Sequence, residues 1–373
     1  MIVKNQEKEF IIGKTKVGGK NPCFIVAEIG INFNRDYSNA IKLIDSAAKA
    51  GCNAVKFQLF SADKMYPPTA GDDKSGGGRK KNIYQIVKDA ELPIPWIPKL
   101  KKYANKKGLE FFSTTCEGKG ADILQKYGTD AFKIASYEIT HIPLLRYIAK
   151  FQKPIIFSCG AAEIKEIADA LEVFKEEKND KIALLHCIAE YGAPVFSLNL
   201  NVIRTLKMVF PDVVIGYSDH SKDAVSAPRA AVALGAKIIE KHITLDKNMP
   251  GPDHFFALEP SELALMVKTI RKTEQNMKKG LKIKIPHQLL GISGRMTYEN
   301  EMGPRNFAYR CVFAIKYIKK GDKFSKSNIG VLRPGNQKRG LEPKYYEILT
   351  KGYRATKDIV RHESITWDSI LLK

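Results

Sequence analysis

Short apolar runs alternate with helical stretches along most of the chain. Cys23–Gly30 is apolar except for Glu28 near its end. Tyr37–Ala50 follows, with Ile41, Leu43, Ile44, Ala47 and Ala48 on one helical stripe and Gly51 as its stop. Asn53–Phe60 is the second apolar run and carries Lys56 and Gln58. The Gly- and charge-rich stretch 69–82 predicts a mobile loop, and Ile97–Lys107 a helix closed by Gly108. Glu110–Thr115, Ala131–Glu138, Pro154–Gly160 and Ile182–Ile188 are four further strand-like runs. Val213–Ile215 then leads to His220, the Ala-rich Asp223–Leu234 reads as helix, and Lys237–Ile239 leads to His242. Eight strands alternating with helices over about 250 residues predict a (β/α)₈ barrel, an α/β TIM fold. The near-continuous apolar runs fit parallel strands covered on both faces.

The pattern changes beyond Thr273. Gln275–Pro304 is rich in Lys and Gly with little periodicity and reads as a linker. Tyr309–Ile315 alternates as a strand, Lys319–Asp322 is a turn, Ile329–Gly335 a second strand and turn, and Ala355–Trp367 a third unit. The expected divisions are a barrel over 1–278, a linker over 279–305 and a small, mostly β domain over 306–373. About 65 residues fold alone only marginally, so this domain is expected to lean on another surface.

Charge adds one question. The net charge is +21, from 48 Lys and 13 Arg against 40 acidic residues. The basic residues are spread along the chain without an Arg-rich, aromatic-interleaved strip, which argues against nucleic acid and for a solvated Lys-rich surface. The charge also suits an anionic substrate. No apolar run approaches a membrane span and Met1–Phe10 has no signal-peptide character, so a cytoplasmic location is expected. Cys23, Cys52, Cys116, Cys159, Cys187 and Cys311 form no CxxC pair and read as reduced thiols.

Chemistry gathers where barrel enzymes keep it, at the strand C-termini. Glu28, Lys56 with Gln58, Thr114, Lys133 with Ser136 and Glu138, Ser158, His186, Ser218 with His220, and His242 all stand there. Burying unpaired charge is costly, so a purely structural barrel has no use for this set. Two lysines, hydroxyls and glycine amides make a receptor for phosphate and carboxylate. Ser158-Cys159-Gly160 runs straight into a helix expected over Ala161–Phe174, whose N-terminus favours anions. His220 and His242 suit a divalent metal; the competing account is two histidines that merely cap strands. Likewise, Lys56 and Lys133 paired with Glu28 and Glu138 would be a structural network. His141, His186, His254, His287 and His362 read as ordinary polar residues. The set points to carbon–carbon bond chemistry or to phosphate hydrolysis.

Ala27-Glu28-Ile29-Gly30-Ile31-Asn32, Val55-Lys56-Phe57-Gln58, Lys133-Ile134-Ala135-Ser136, Ser218-Asp219-His220, Glu240-Lys241-His242 and Gly251-Pro252-Asp253 together resemble the sialic acid (nonulosonate) synthase family. Ile318–Asp322 and Arg333-Pro334-Gly335 resemble that family's C-terminal antifreeze-like, or β-clip (SAF), domain. The resemblance spans nearly the whole chain. It implies condensation of phosphoenolpyruvate with N-acetylmannosamine or a related amino-hexose, with water, to a nine-carbon 2-keto acid and phosphate by C–O cleavage. It implies Glu28 as catalytic carboxylate, with Glu138 catalytic or facing the sugar. His220 and His242 would hold a divalent metal, usually Mn²⁺, with Mg²⁺ or Co²⁺ as alternatives. Lys56, Thr114, Lys133, Ser136, Ser158 and Ser218 would hold phosphoenolpyruvate. Gln58, Tyr191 and Asp253 would face the sugar. Phe307 and Arg333 would reach the sugar site of a partner subunit, in a homodimer with exchanged C-terminal domains. Phe33 departs from a common histidine, Ala189 from a sugar-contacting asparagine, and Gly192 from a usual proline. Those changes favour as alternative a pseudaminic or legionaminic acid synthase acting on a 6-deoxy-diacetamido hexose. Remoter alternatives are a phosphoenolpyruvate-aldose phosphate synthase and an inactive carbohydrate-binding barrel.

Overall fold

The computed structural model of the chain describes residues 8–73 and 81–371. The chain enters through an antiparallel hairpin of β1 (Glu9–Ile12) and β2 (Thr15–Gly18). This hairpin is not apparent in the sequence pattern. Its buried Phe10, Ile12 and Val17 join Phe24, Val26, Ala54, Phe112, Ile156 and Leu185 from the barrel strands in one apolar cluster. The hairpin therefore plugs the end of the barrel away from the chemistry, and the backbone N–H of Lys14 is fixed by Glu110 at 2.8 Å.

Among the described residues eight parallel strands close into a barrel. They are β3 (Phe24–Gly30), β4 (Ala54–Leu59), β5 (Glu110–Thr115), β6 (Phe132–Ile134), β7 (Ile155–Ser158), β8 (Ile182–Cys187), β9 (Val214–Asp219) and β10 (Ile238–His242). All eight expected runs form strands. The fourth is shortened, because Ser136–Glu138 leaves the sheet as a 3₁₀ turn. Closure comes from β10 pairing with β3, which sets His242 opposite Glu28. The helices pack outside. Tyr37–Ala50 forms as expected, N-capped by Asp36 and ended by Gly51 at φ 83°. The helix expected from Ala161 starts instead at Ile164 behind a Glu163/Glu166 capping box, so Cys159–Ala162 is a turn and not a helix N-terminus.

The stretch read as a linker carries structure. After the helix Pro260–Lys278, short helices form at His287–Leu290 and Glu299–Ala308. Glu301 in the latter accepts the N–H groups of Ala161 and Ala189, each at 2.7 Å, and pairs with buried Arg295 at 2.9 Å. The small domain follows as antiparallel β11 (Cys311–Ala314) and β12 (Ile329–Leu332), with bridges from Ile318 to Ile359 and from Phe313 to Ser364. Its core gathers Val312, Ile318, Phe324, Leu341, Ile359 and Ile365. Within the loop 69–82, Asp72–Asp73 pairs with Lys81–Asn82, while 74–80 lies outside the described residues, as does 1–7. No helix among the described residues is long and apolar enough to cross a membrane. All six cysteines are buried and unbridged.

Candidate active site

The parallel register brings the strand ends together at the barrel mouth. β3 meets β4 through a bulge between Glu28 and Gly30, and Gly30 adopts φ 55°. A Cβ at Gly30 would lie 3.2 Å from both Gln58 Nε2 and Glu28 Oε1, so glycine is what lets Glu28 turn into the mouth. Glu28 is fully buried. Its Oε1 accepts from Gln58 at 2.8 Å and faces Lys56 Nζ at 3.0 Å. Its Oε2 has no partner. Burial raises its pKa, as does the charge of Glu240, against the opposing pull of Lys56.

Lys56 donates to Thr114 Oγ1 at 3.1 Å and Lys133 donates to Ser158 Oγ. Both ammonium groups stand 3.6 Å from Glu240 Oε1, which also accepts from Ser218 at 2.9 Å. Ser136 Oγ accepts the N–H of Gly160 at 2.8 Å. Of the six residues expected around phosphoenolpyruvate, Lys56, Lys133 and Ser218 thus meet at Glu240, Thr114 and Ser158 join through the lysines, and Ser136 is tied to Gly160 instead. Burial would raise Glu240, but the two lysines hold it below its ordinary value. Burial lowers Lys133; for Lys56 burial is outweighed by Glu240 and Glu28, and its pKa rises. The signal for Glu240 was present. It lies two residues before His242, so strand alternation turns both inward. The intervening Lys241 turns away to pair with Asp219 at 2.7 Å. The network of Lys56 with Glu28 does form, whereas Lys133 is not paired with Glu138.

The two histidines meet with ring centroids 5.5 Å apart. His220 Nδ1 lies 2.8 Å from the carbonyl of Ile188, so Nδ1 carries the proton and Nε2 the lone pair. Burial lowers both histidines, and His242 is lowered further by His220. Both are therefore neutral, the form that binds metals. His242 Nδ1 is buried without a hydrogen bond, and Asp253 Oδ2 lies 3.7 Å from it. Among the described residues no three His, Cys, Asp or Glu side chains form a ready cage. Two converging neutral imidazoles fit a divalent ion that keeps most positions open. Tyr191 stacks on His220 with centroids 4.6 Å apart, and Phe256 packs tilted against His242 at 4.9 Å, forming an aromatic wall.

The other expected residues divide. Ala189 is buried and its N–H is taken by Glu301. Gly192 sits at φ 79°, where a proline cannot. Phe33 packs edge-on against Phe57 and Trp96 in the core. His254 is held by Thr244 at 2.7 Å and Asn34 at 3.0 Å, and His186 by the Leu198 carbonyl at 2.8 Å. Glu138 is buried between Arg310, which donates to Oε2, and Arg333, whose Nη2 donates to Oε1 at 2.7 Å. These arginines hold its pKa at about 2 although burial opposes them. Phe307 packs on Tyr66 with centroids 5.8 Å apart. Phe307 and Arg333 thus stand against Tyr66 and Glu138 of the barrel, and Arg333 reaches the carboxylate expected to face the sugar.

Comparison with known proteins agrees with this architecture. Residues 43–282 match the NeuB family and residues 309–371 the SAF domain. The chain is 48% identical to spore coat polysaccharide biosynthesis protein SpsE of Bacillus subtilis, over 98% of each chain. The crystal structure of that protein superposes with a TM-score of 0.88 at 47% identity, covering 98% of this chain and 99% of the other. The chain is 38% identical to the N,N'-diacetyllegionaminic acid synthase of Campylobacter jejuni, over 88% of this chain and 96% of the relative. It is 36% identical to the pseudaminic acid synthase of the same species, over 90% and 93%. The chain belongs to the NeuB family of nonulosonic acid synthases and carries its SAF domain.

Proposed function

We propose that the protein condenses phosphoenolpyruvate with an amino-hexose and water to a nine-carbon 2-keto acid and phosphate. The observation that carries this reading is the buried group of Lys56, Lys133, Thr114, Ser136, Ser158 and Ser218 beside two neutral imidazoles and the unpartnered Oε2 of Glu28. The lysines and hydroxyls bind the phosphate and carboxylate of phosphoenolpyruvate, displacing the carboxylates that satisfy them here. They are fixed charges that need no rearrangement as the reaction proceeds. His220 and His242 would hold a divalent metal, Mn²⁺ by family analogy, which supplies a Lewis acid for the sugar's open-chain aldehyde.

Lys56 and Lys133 hold the anionic groups while C3 of phosphoenolpyruvate bonds to the aldehyde carbon. Glu28 Oε2 then takes a proton from the water that adds to C2; that proton ends on the oxygen of the former aldehyde, and the water's second proton leaves with phosphate. Burial and the charge of Glu240 raise the pKa of Glu28, which makes it a stronger base than an exposed carboxylate. The C2–O bond to phosphate breaks as the 2-keto group forms, so the bridging oxygen leaves with phosphate. Gln58, Tyr191, Asp253, Glu138, Phe307 and Arg333 line the side left for the sugar.

The finer sugar choice has two readings. N-acetylmannosamine is the first. A 6-deoxy-diacetamido hexose is the second, favoured by the methyl of Ala189 in place of an amide and by the relatives that make legionaminic and pseudaminic acids. The test is phosphate release from phosphoenolpyruvate with Mn²⁺ and a panel of free and phosphorylated sugars, with mass analysis of products. Release with a free amino-hexose is expected. Release only with aldose phosphates overturns the reading. Run in ¹⁸O-water, the phosphate should stay unlabelled; label would mean attack at phosphorus.

A further inference from the structure

Lys241 stands between Glu240 and His242, yet the chemistry above makes no use of it. Strand alternation turns it to the outer face of the barrel wall, where it is fully buried. An ammonium group there is costly unless each of its donors is met. Nζ donates to Asp219 Oδ2 at 2.7 Å, to the Ser221 carbonyl at 2.5 Å and to the Asp223 carbonyl at 3.1 Å, which uses all of them. Replacing a buried ion pair by apolar side chains is often neutral for stability, so stability alone does not account for this one.

His220 lies inside the grip of this pair. The register of β9 and β10 sets Ser218 beside Glu240 and Asp219 beside Lys241. Ser218 bonds Glu240 at 2.9 Å on the mouth side, and Asp219 bonds Lys241 on the opposite side. A slip of one residue would turn every one of these side chains to the wrong face. The opposed pairs therefore fix the register immediately before both histidines. Asp219 also reaches past His220, because its Oδ1 accepts the N–H of Ser221 at 2.8 Å and the Tyr217 hydroxyl at 3.1 Å. Asp223 extends the grip: its carboxylate accepts the N–H groups of Val225 and Ser226, each at 2.7 Å, at the start of the helix Ser226–Ala233. Among the described residues no third His, Cys, Asp or Glu completes a cage with the histidines, so an ion held there depends on the placement of two rings.

We propose that Lys241 is a positioning residue for the metal. With Asp219 it sets where His220 stands relative to His242, and so sets how tightly the ion is held. It acts through the backbone that follows His220 and not on substrate. This rests on the metal role proposed above for the two histidines.

The test is Mn²⁺ binding by the full chain, freed of metal with chelator and titrated while electron paramagnetic resonance follows the free ion. Lys241→Met keeps the length and removes the donors. It should weaken Mn²⁺ about 10- to 100-fold, the scale of a lost partner behind a metal ligand. Phosphoenolpyruvate binding, measured by calorimetry without metal, should be unchanged; an equal loss of both ligands would mean a general loosening of the mouth and overturn the proposal. Asp219→Asn keeps the shape of the carboxylate and decides the matter should Lys241→Met not fold. It should weaken Mn²⁺ several-fold, and wild-type affinity overturns the proposal. The double variant Lys241→Met, Asp219→Asn separates positioning from stability. It buries no unpaired charge, so it should melt at a higher temperature than Lys241→Met. Its Mn²⁺ affinity should stay low, because the Ser221 and Asp223 carbonyls still lack their donor. Recovery of affinity together with stability would overturn the proposal and leave Lys241 a stabilising ion pair. A wild type that binds no Mn²⁺ removes the metal role itself and this proposal with it; a wild type that binds it, with variants binding alike, removes only the role of Lys241.

Discussion

Glu28 and Glu138 are both fully buried carboxylates at one barrel mouth, yet their neighbours drive them apart. Glu28 faces one lysine and another carboxylate, and its pKa rises; Glu138 faces two guanidinium groups and falls to about 2. Glu28→Gln should keep phosphoenolpyruvate binding and the fold but lower kcat by roughly 10²-fold or more, the scale of a lost general base. Single-turnover kinetics and a direct binding measurement would check it, and a near-wild-type kcat would remove Glu28 from the base role. For Glu138 the folded-state value lies below that of a free carboxyl. Its contribution to stability is therefore complete above the ordinary carboxylate range and lost as pH falls from about 4 towards 2. Unfolding free energies of wild type and Glu138→Gln should differ most at neutral pH and converge on acidification. A constant difference down to pH 3 would contradict the pairing. At this scale the sequence was informative where strand ends repeat one position, and silent where partners come from afar. Glu138 was legible; Arg310, 172 residues away, had no local sign. Glu240 stands two residues before His242 on one strand, and the sequence offers no sign of the two lysines that meet it.

Elements were legible in proportion to their periodicity. The barrel strands and the helix Tyr37–Ala50 carried long apolar runs or a full stripe, and they form where the pattern put them. The hairpin Glu9–Gly18 has two four-residue strands, too short for alternation to stand out, and is stabilised by plugging the barrel. The helix Glu299–Ala308 contains Gly303 and Pro304, which argue locally against helix; buried pairing of Arg295 with Glu301 overrides them. Turn geometry likewise explains the departure at position 192. Gly192 sits at φ 79°, and its N–H donates to His220 O at 2.9 Å. Gly192→Pro removes that donor and demands a φ near −65°. We expect a loss on the order of 1–3 kcal/mol in urea denaturation, with weaker Mn²⁺ binding because the His220 backbone is displaced. Wild-type stability together with unchanged metal affinity would show that this turn does not position His220.

At the scale of the whole molecule, the +21 charge remains to be connected to the site. The mouth itself is nearly balanced, since Lys56 and Lys133 face Glu28 and Glu240 and the two arginines share Glu138. The excess lies outside it, and the chain as a whole carries 48 lysines against 13 arginines. Lysine at the surface is a hydrated point charge, suited to a long-range field more than to bidentate recognition. Such a field attracts a small polyanion and speeds its encounter, and salt screens it within about 8–10 Å at physiological strength. The buried Lys56 and Lys133, which hold the anion in the proposed reaction, are screened far less. Steering and binding should therefore separate experimentally. Raising NaCl from about 0.05 to 0.5 M should lower kcat/KM for phosphoenolpyruvate several-fold while kcat and kcat/KM for the neutral sugar change little. Steady-state kinetics at fixed Mn²⁺ and pH would measure it, with a neutral osmolyte as control for viscosity. Equal decline in both substrates would mean that salt acts on the fold or on domain docking. A flat response would mean that the surface charge serves solvation alone and that phosphoenolpyruvate is captured only by the contacts inside the barrel.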